Sequence, residues 1–244
     1  MTHEAQGSTA AGRLRRVVEV ARTPRRMRNR RPMTAELAGY ARSRTSPLPP
    51  FVDAVQQRTR ADSDDAYMMV SSEQAQLLAC LVHATAARQV LEIGTFTGYS
   101  TLAMARALPP GGTVITCELD EDSARAAQQH FSASPLADRI RLEVGPALDT
   151  IARLNGPFDL VLIDADKIGY LRYFEAVLPK LSDHGLIVAD NTLHLGLAKG
   201  PEPDSAEVLA IEAFNIVIAQ DDRVEQVVLP LWDGMTVIRP VTRS

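Results

Sequence analysis

The sequence predicts an α/β protein: a seven-stranded mixed sheet with helices on both faces, a C-terminal antiparallel hairpin and extra helices at the N-terminus. Three observations predict it. From residue 72 onward, short apolar runs alternate with amphipathic segments of helical length. The runs are apolar nearly throughout, as strands of a parallel sheet covered on both faces must be. The last two runs, 224–230 and 235–239, flank Leu231-Trp232-Asp233-Gly234, and Asp-Gly between apolar runs signals a hairpin.

The elements follow in order. Leu14, Val17, Val18 and Ala21 lie on one face of a short helix over 12–22, which Pro24 ends. Residues 25–32 form a basic linker. A second helix is expected over 34–43 with Thr34 as N-cap, and a third over 51–60 after Pro47, Pro49 and Pro50. Ser71 and Gln74 have capping-box spacing ahead of a long apolar face, which predicts a helix. Strands are then expected at 89–94, 113–119, 139–145, 158–166 and 185–191, with helices at 97–108, 121–131, 146–154, 168–180 and 205–220 between and after them.

Composition bounds the function classes. The 244 residues are 45% hydrophobic and 23% charged, ordinary for a globular chain able to bury a core without disulfides or structural metal. Cys80 and Cys117 stand apart with no CxxC or Cys/His pattern, which argues against zinc and fits a reducing, cytoplasmic setting. No apolar run reaches the length of a membrane span, and the N-terminus lacks a signal core. Charge is divided unevenly. Residues 1–60 carry 13 Arg against 4 acids, net +9, which leaves −13 for residues 61–244 of a chain whose total is −4. The expected organisation is therefore an Arg-rich helical extension, 1–60, ahead of the main domain, 61–244. Such a head fits an arm docked on an acidic body; it also fits a nucleic-acid or lipid contact.

Ligands of open α/β sheets bind at the carboxyl ends of the strands. The first strand ends in Glu92-Ile93-Gly94-Thr95-Phe96-Thr97-Gly98-Tyr99-Ser100. A dinucleotide fingerprint needs glycine at 94, 96 and 99; Phe96 and Tyr99 occupy two of these, so the loop suits a nucleoside without a pyrophosphate. Glu118, ending the second strand, is placed to accept hydrogen bonds from ribose hydroxyls; the alternative is a charge at the start of the next helix, and with Glu92 and Gly94 beside it the ribose reading is favoured. Gly145-Pro146-Ala147, after the third strand, is expected beside the base.

The fourth strand runs into Asp164-Ala165-Asp166-Lys167 and the fifth into Asp190-Asn191. Asp164 and Asp166 are expected to point to opposite sides of the strand end, with Asp164 close to Asp190-Asn191 on the neighbouring strand. Two carboxylates and an amide oxygen are hard ligands suited to Mg2+ or Ca2+. Lys167 is then placed as general base for a hydroxyl held by that ion. Each of these residues alone reads more simply as a turn cap, a helix cap or a solvated charge; their joint occurrence at two strand ends is harder to explain that way.

The stretches VLEIGTFTGYS, CELD, GPALDT, FDLVLIDADKIGYLRYF, GLIVADNTL and WDGMTVIRP together resemble the cation-dependent, S-adenosylmethionine-using O-methyltransferases of the caffeoyl-CoA and catechol type, over about residues 66–240 and in the family's order. The resemblance implies a Rossmann-like methyltransferase domain, a homodimer and a catechol-like small-molecule acceptor. It implies Asp164, Asp190 and Asn191 as ligands of a divalent cation (Mg2+ foremost, Ca2+ or Mn2+ as alternatives) and Lys167 as catalytic base. It implies that Val70, Ser71, Glu92, Gly94, Thr95, Ser100, Glu118, Ala147, Asp164, Asp166 and Tyr173 line the cofactor. Three departures stand out: Glu118 replaces an Asp of the plant enzymes, Val70 replaces a hydroxyl residue, and His194-Leu195 replaces Trp-Asn, which bears against a coenzyme-A ester as acceptor. The alternative is an RNA methyltransferase using the Arg-rich head as a clamp, but Tyr40 is the sole aromatic before Phe51 to stack a base.

Overall fold

The computed structural model describes residues 34–193 and 205–241. The expected helix at 12–22, the basic linker 25–32, and His194, Leu195 and the rest of 194–204 lie outside the described residues. The chain divides into two compact units after Arg44. In the first, α1 spans Ala35–Arg44, and Thr34 caps it by accepting the Leu37 N–H at 3.2 Å. The guanidinium of Arg44 lies 5.4 Å from the centre of the Tyr40 ring, one turn earlier.

The second unit contains α2 (Pro50–Asp62), α3 (Ser72–Ala84), β1 (Gln89–Ile93), α4 (Tyr99–Ala105), β2 (Thr113–Glu118), α5 (Glu121–Ser132), β3 (Ile140–Val144), α6 (Ala147–Arg153), β4 (Phe158–Ile163), α7 (Tyr170–Val177), β5 (Leu181–Asp190), α8 (Ala206–Ala219), β6 (Val224–Leu229) and β7 (Met235–Pro240). The seven strands form one sheet in the order β3-β2-β1-β4-β5-β7-β6. All neighbouring pairs among β1 to β5 are parallel, and β7 runs antiparallel to both β5 and β6. The expected mixed sheet with its closing hairpin is thus present.

Successive strand residues feed opposite faces. Val90, Leu160, Leu162 and Val188 pack with Leu78 and Val82 of α3 and Met104 of α4. Leu91, Val161, Ile163 and Ile187 pack on the other face with Tyr170 and Phe174 of α7 and Ile211 and Phe214 of α8. Strands serving two cores in this way must be apolar throughout, which explains the runs in the sequence. A third cluster joins Val52 and Val55 of α2 to Tyr99 and Leu102 of α4 and Phe131 of α5.

Several boundaries differ from expectation, three of them around the ends of β4 and β5. β4 stops at Ile163, short of Asp164, and a tight helical turn at Lys167–Gly169 follows. β5 starts at Leu181, which pairs with Phe158 across an irregularity in the register. The helix expected over 168–180 ends at Val177 and gives way to a tight turn at Leu178–Lys180, where the Pro179 ring lacks the N–H that continued helix needs.

The strand order reverses at β1: the chain runs outward from it through β2 to β3, then crosses back to place β4 on its other side. In an open parallel sheet the crevice at such a point receives ligands.

Candidate active site

Two loops meet at this crevice. Gly94 leaves β1 with φ +99°, and a Cβ there would sit 1.9 Å from the Asp164 carbonyl oxygen. Only glycine permits the β1 and β4 exits to close so tightly. Gly98, at φ +87°, faces the Phe131 ring at a distance that likewise excludes a Cβ, and α4 starts beside it. The loop between them is held from β2: Glu118 Oε2 accepts the N–H groups of Thr95 at 3.1 Å and Phe96 at 2.6 Å. Its Oε1 accepts from the Asp120 N–H at 2.9 Å.

Glu92 lies beneath the loop with no exposed surface. Ser100 donates to its Oε1 at 2.6 Å, Thr116 donates to Oε2 at 2.6 Å, and Thr101 donates to Oε2 as well. The Thr116 proton is committed there, so the Thr95 hydroxyl is the donor in its 2.6 Å contact with Thr116. Burial pushes the Glu92 carboxyl up to about 7 against the opposing pull of these hydroxyls.

The second half of the crevice lies where β4 and β5 end. Ile163 pairs with Ala189, which sets Asp164 beside Asp190. Lys167 Nζ donates to Asn191 Oδ1 at 2.5 Å, to Tyr170 Oη at 2.8 Å and to Asp164 Oδ1 at 3.3 Å. The Tyr170 hydroxyl, fully buried, donates to the Asp190 carbonyl at 3.0 Å, so its oxygen is left to accept from the lysine. Asn191 adopts φ 55°, a left-handed conformation that Asn tolerates better than most side chains. Asp190 is 1% exposed; Gln74 Nε2 donates to both its carboxylate oxygens, at 2.8 and 2.9 Å, and the Asn191 N–H donates to Oδ1 at 2.7 Å. Burial first, then the Asp164 carboxylate, push Asp190 well above the usual carboxylate range. Asp166 faces elsewhere and accepts from the Tyr173 hydroxyl.

These residues fit a divalent cation. The Lys167 ammonium already bridges two of the three expected ligands, and the third is a buried carboxylate destabilised by its acidic neighbour. No group of three or more His, Cys, Asp or Glu is gathered for a metal among the described residues; the set here is two carboxylates and the amide oxygen of Asn191.

Comparison with known proteins bears on this geometry. The profile of the O-methyltransferase family matches residues 43–241. The chain belongs to that family. An O-methyltransferase, AnkF, from Aspergillus thermomutatus is 35% identical over 82% of this chain and 90% of its own length. A catechol O-methyltransferase from Niastella koreensis is 36% identical over 68% of this chain and 79% of its own. A crystal structure of the S-adenosylhomocysteine-bound Podospora anserina methyltransferase PaMTH1 superposes with a TM-score of 0.79 at 28% identity, covering 86% of this chain and 98% of that one. These comparisons lend nothing to the RNA alternative. No helix among the described residues is long and apolar enough to cross a membrane.

The fold of this O-methyltransferase brings most of the sequence-predicted residues to the carboxyl edge of the sheet. Gly94, Thr95 and Glu118 meet at the first loop; Asp164, Lys167, Asp190 and Asn191 meet at the second. Ala147 starts α6 directly after Gly145 and Pro146. Ser71 caps α3, its Oγ accepting the Gln74 N–H at 3.1 Å, and Val70 is buried beside α2 and α4. Glu92 sits below the loop with Ser100, and Tyr173 is occupied by Asp166. Asp164 and Asp166 have different partners, as expected, but not through strand alternation. Residues two apart in a strand share a face; they separate because β4 has already ended.

Sequence reasoning missed Gln74 and Tyr170. The capping box announced Gln74 as a helix cap and concealed its second bond; Tyr170 was visible as a tyrosine one helical turn after Lys167. It also passed over Leu119 and Val144, apolar side chains left exposed where β2 and β3 end.

Proposed function

We propose that this O-methyltransferase transfers the methyl group of S-adenosylmethionine to one hydroxyl of a catechol-like small molecule, with a divalent cation held by Asp164, Asp190 and Asn191. The observation that carries the proposal is the Lys167 ammonium lying between Asp164 and Asn191: a cation sits among hard oxygen ligands, on a residue whose neutral amine is a base. The relative named as a catechol O-methyltransferase supports the acceptor class.

Glu118 Oε1, with one backbone partner, keeps a lone pair for a ribose hydroxyl, while Oε2 braces the loop above Glu92. Leu119 and Val144 offer apolar surface to the base beside Ala147. Val70 and Ser71, ahead of α3, would face the amino-acid end of the cofactor. When bound, the cation supplies Lewis acidity that eases ionisation of the acceptor hydroxyl. Once the ammonium has given a proton up to solvent, the neutral Lys167 Nζ would take the hydroxyl proton, and Tyr170 and Asn191 keep the nitrogen aimed. The acceptor oxygen then forms its bond to the methyl carbon as the carbon–sulfur bond breaks, and S-adenosylhomocysteine leaves. The protein contributes alignment and electrostatics more than covalent chemistry. A homodimer belongs to the same proposal; exposed Val227 and Val228 on edge strand β6 support it, and sedimentation reads it.

The test is methyl transfer to a panel of catechols and matched monophenols, with EDTA and after re-addition of Mg2+. Catechols alone should be methylated, and EDTA should stop the reaction until Mg2+ returns. Full turnover in EDTA, or equal transfer to monophenols, would refute the reading.

A further inference from the structure

Gln74 is 3% exposed and its amide is used at both ends. Oε1 accepts the backbone N–H of Ser71 at 2.9 Å, completing the cap of α3. That bond fixes which end of the amide is which, so Nε2 must face the Asp190 carboxylate, 116 residues away in sequence. A cap requires only the first bond. A donor set between both oxygens of a buried carboxylate does something else: it fixes the plane of that carboxylate and offsets part of its charge. The Asn191 N–H holds Oδ1 from another side, so Asp190 is held by donors from two separate segments of the chain.

We propose that Gln74 is a positioning residue for Asp190, orienting this carboxylate toward the cation and tying it to the first turn of α3, where the amino-acid end of the cofactor is placed. This rests on the reading of Asp190 as a metal ligand. Hydrogen-bond partners that orient a ligating carboxylate are worth about 10–100-fold in metal affinity. If Gln74 were a cap alone, its loss would lower stability and leave the cation unaffected.

The experiment is titration of Mn2+ into the full chain with S-adenosylhomocysteine present, followed by electron paramagnetic resonance and calorimetry, for wild type and Gln74→Met. Methionine keeps the volume and removes both bonds. The expected result is a Kd for Mn2+ raised about tenfold or more, with S-adenosylhomocysteine affinity in the absence of metal changed much less. A folded Gln74→Met protein that binds Mn2+ like wild type overturns the proposal and leaves Gln74 as a cap, while the metal reading survives. Wild type that binds no Mn2+ overturns both. Should Gln74→Met fail to fold, Gln74→Asn serves: it keeps the donor but is one methylene too short to hold Ser71 and Asp190 together, so metal binding should weaken, and unchanged binding again overturns the proposal.

Discussion

The Lys167 ammonium and the Asn191 side-chain oxygen lie 2.5 Å apart, although one follows β4 and the other follows β5. The contact joins the proposed base to a proposed metal ligand, and buried Tyr170 holds the same ammonium at 2.8 Å. A lysine restrained this way has lost most of the rotamer freedom of a surface lysine, a cost that repeated contacts must offset. Only 14% of its side-chain surface is exposed.

Replacing this lysine separates chemistry from binding. Lys167→Met should lower kcat by about 10²–10⁴-fold, the usual contribution of a positioned base, with S-adenosylmethionine affinity little changed. Residual turnover should rise with pH as bulk base substitutes. Steady-state kinetics and calorimetry on the same preparation provide the check; a wild-type kcat at neutral pH would remove Lys167 from the mechanism.

The carboxylates make a different prediction. Asp164→Ala removes a proposed ligand and one partner of Lys167, while its backbone, which closes on Gly94, stays in place. Activity should fall below detection with Mg2+ present, yet S-adenosylmethionine should still bind. Retained turnover would exclude Asp164 as a ligand. Loss of cofactor binding together with activity would place Asp164 in the cofactor site instead.

How legible all this was varies with the range of the contacts. The sheet could be read because strands serving two cores must be apolar throughout, as Val90 beside Leu91 and Leu160 beside Val161 show. The meeting of Asp164 with Asp190 could be read because adjacent parallel strands bring their ends together. Ser71 and Gln74 could be read as a cap because that motif is local. The bond from Gln74 to Asp190 could not, since nothing within either segment encodes a partner so remote. The burial of Glu92 was hidden for a related reason: whether a carboxylate opens on the crevice or lies beneath it depends on how the 94–98 loop folds back, and that depends on Glu118 and Thr116 of another strand.

Glu118 therefore has two roles to test together. Glu118→Ala removes the proposed ribose acceptor and frees the N–H groups of Thr95 and Phe96. Cofactor affinity should weaken by about 1.5–3 kcal/mol, the range for a hydrogen bond to a charged group. Amide exchange at Thr95 and Phe96 should quicken as well. Calorimetry that returns the wild-type affinity would contradict the ribose role, and unchanged exchange would contradict the loop role.

The last prediction concerns Glu92 and pH. Its carboxyl titrates near 4.5 in the absence of the fold and is pushed to about 7 by burial. Between these values the folded chain keeps a proton that the unfolded chain has lost, so this group's contribution makes stability fall as pH rises. The loss is complete above about pH 7 and amounts to roughly 3 kcal/mol at the conversion of 1.36 kcal/mol per pH unit. Glutamine has the same shape and no charge, and the hydroxyls of Ser100, Thr101 and Thr116 can still donate to its oxygen or turn to accept from its nitrogen. Glu92→Gln should therefore match wild type near pH 4.5 and become progressively more stable than wild type up to about pH 7. Urea denaturation of both proteins across that range measures the difference directly, with all other titrating groups common to the pair. A difference that stays flat with pH would show that the carboxylate is not penalised by its burial, and that the three hydroxyls and the polar loop above it solvate the charge as well as water does.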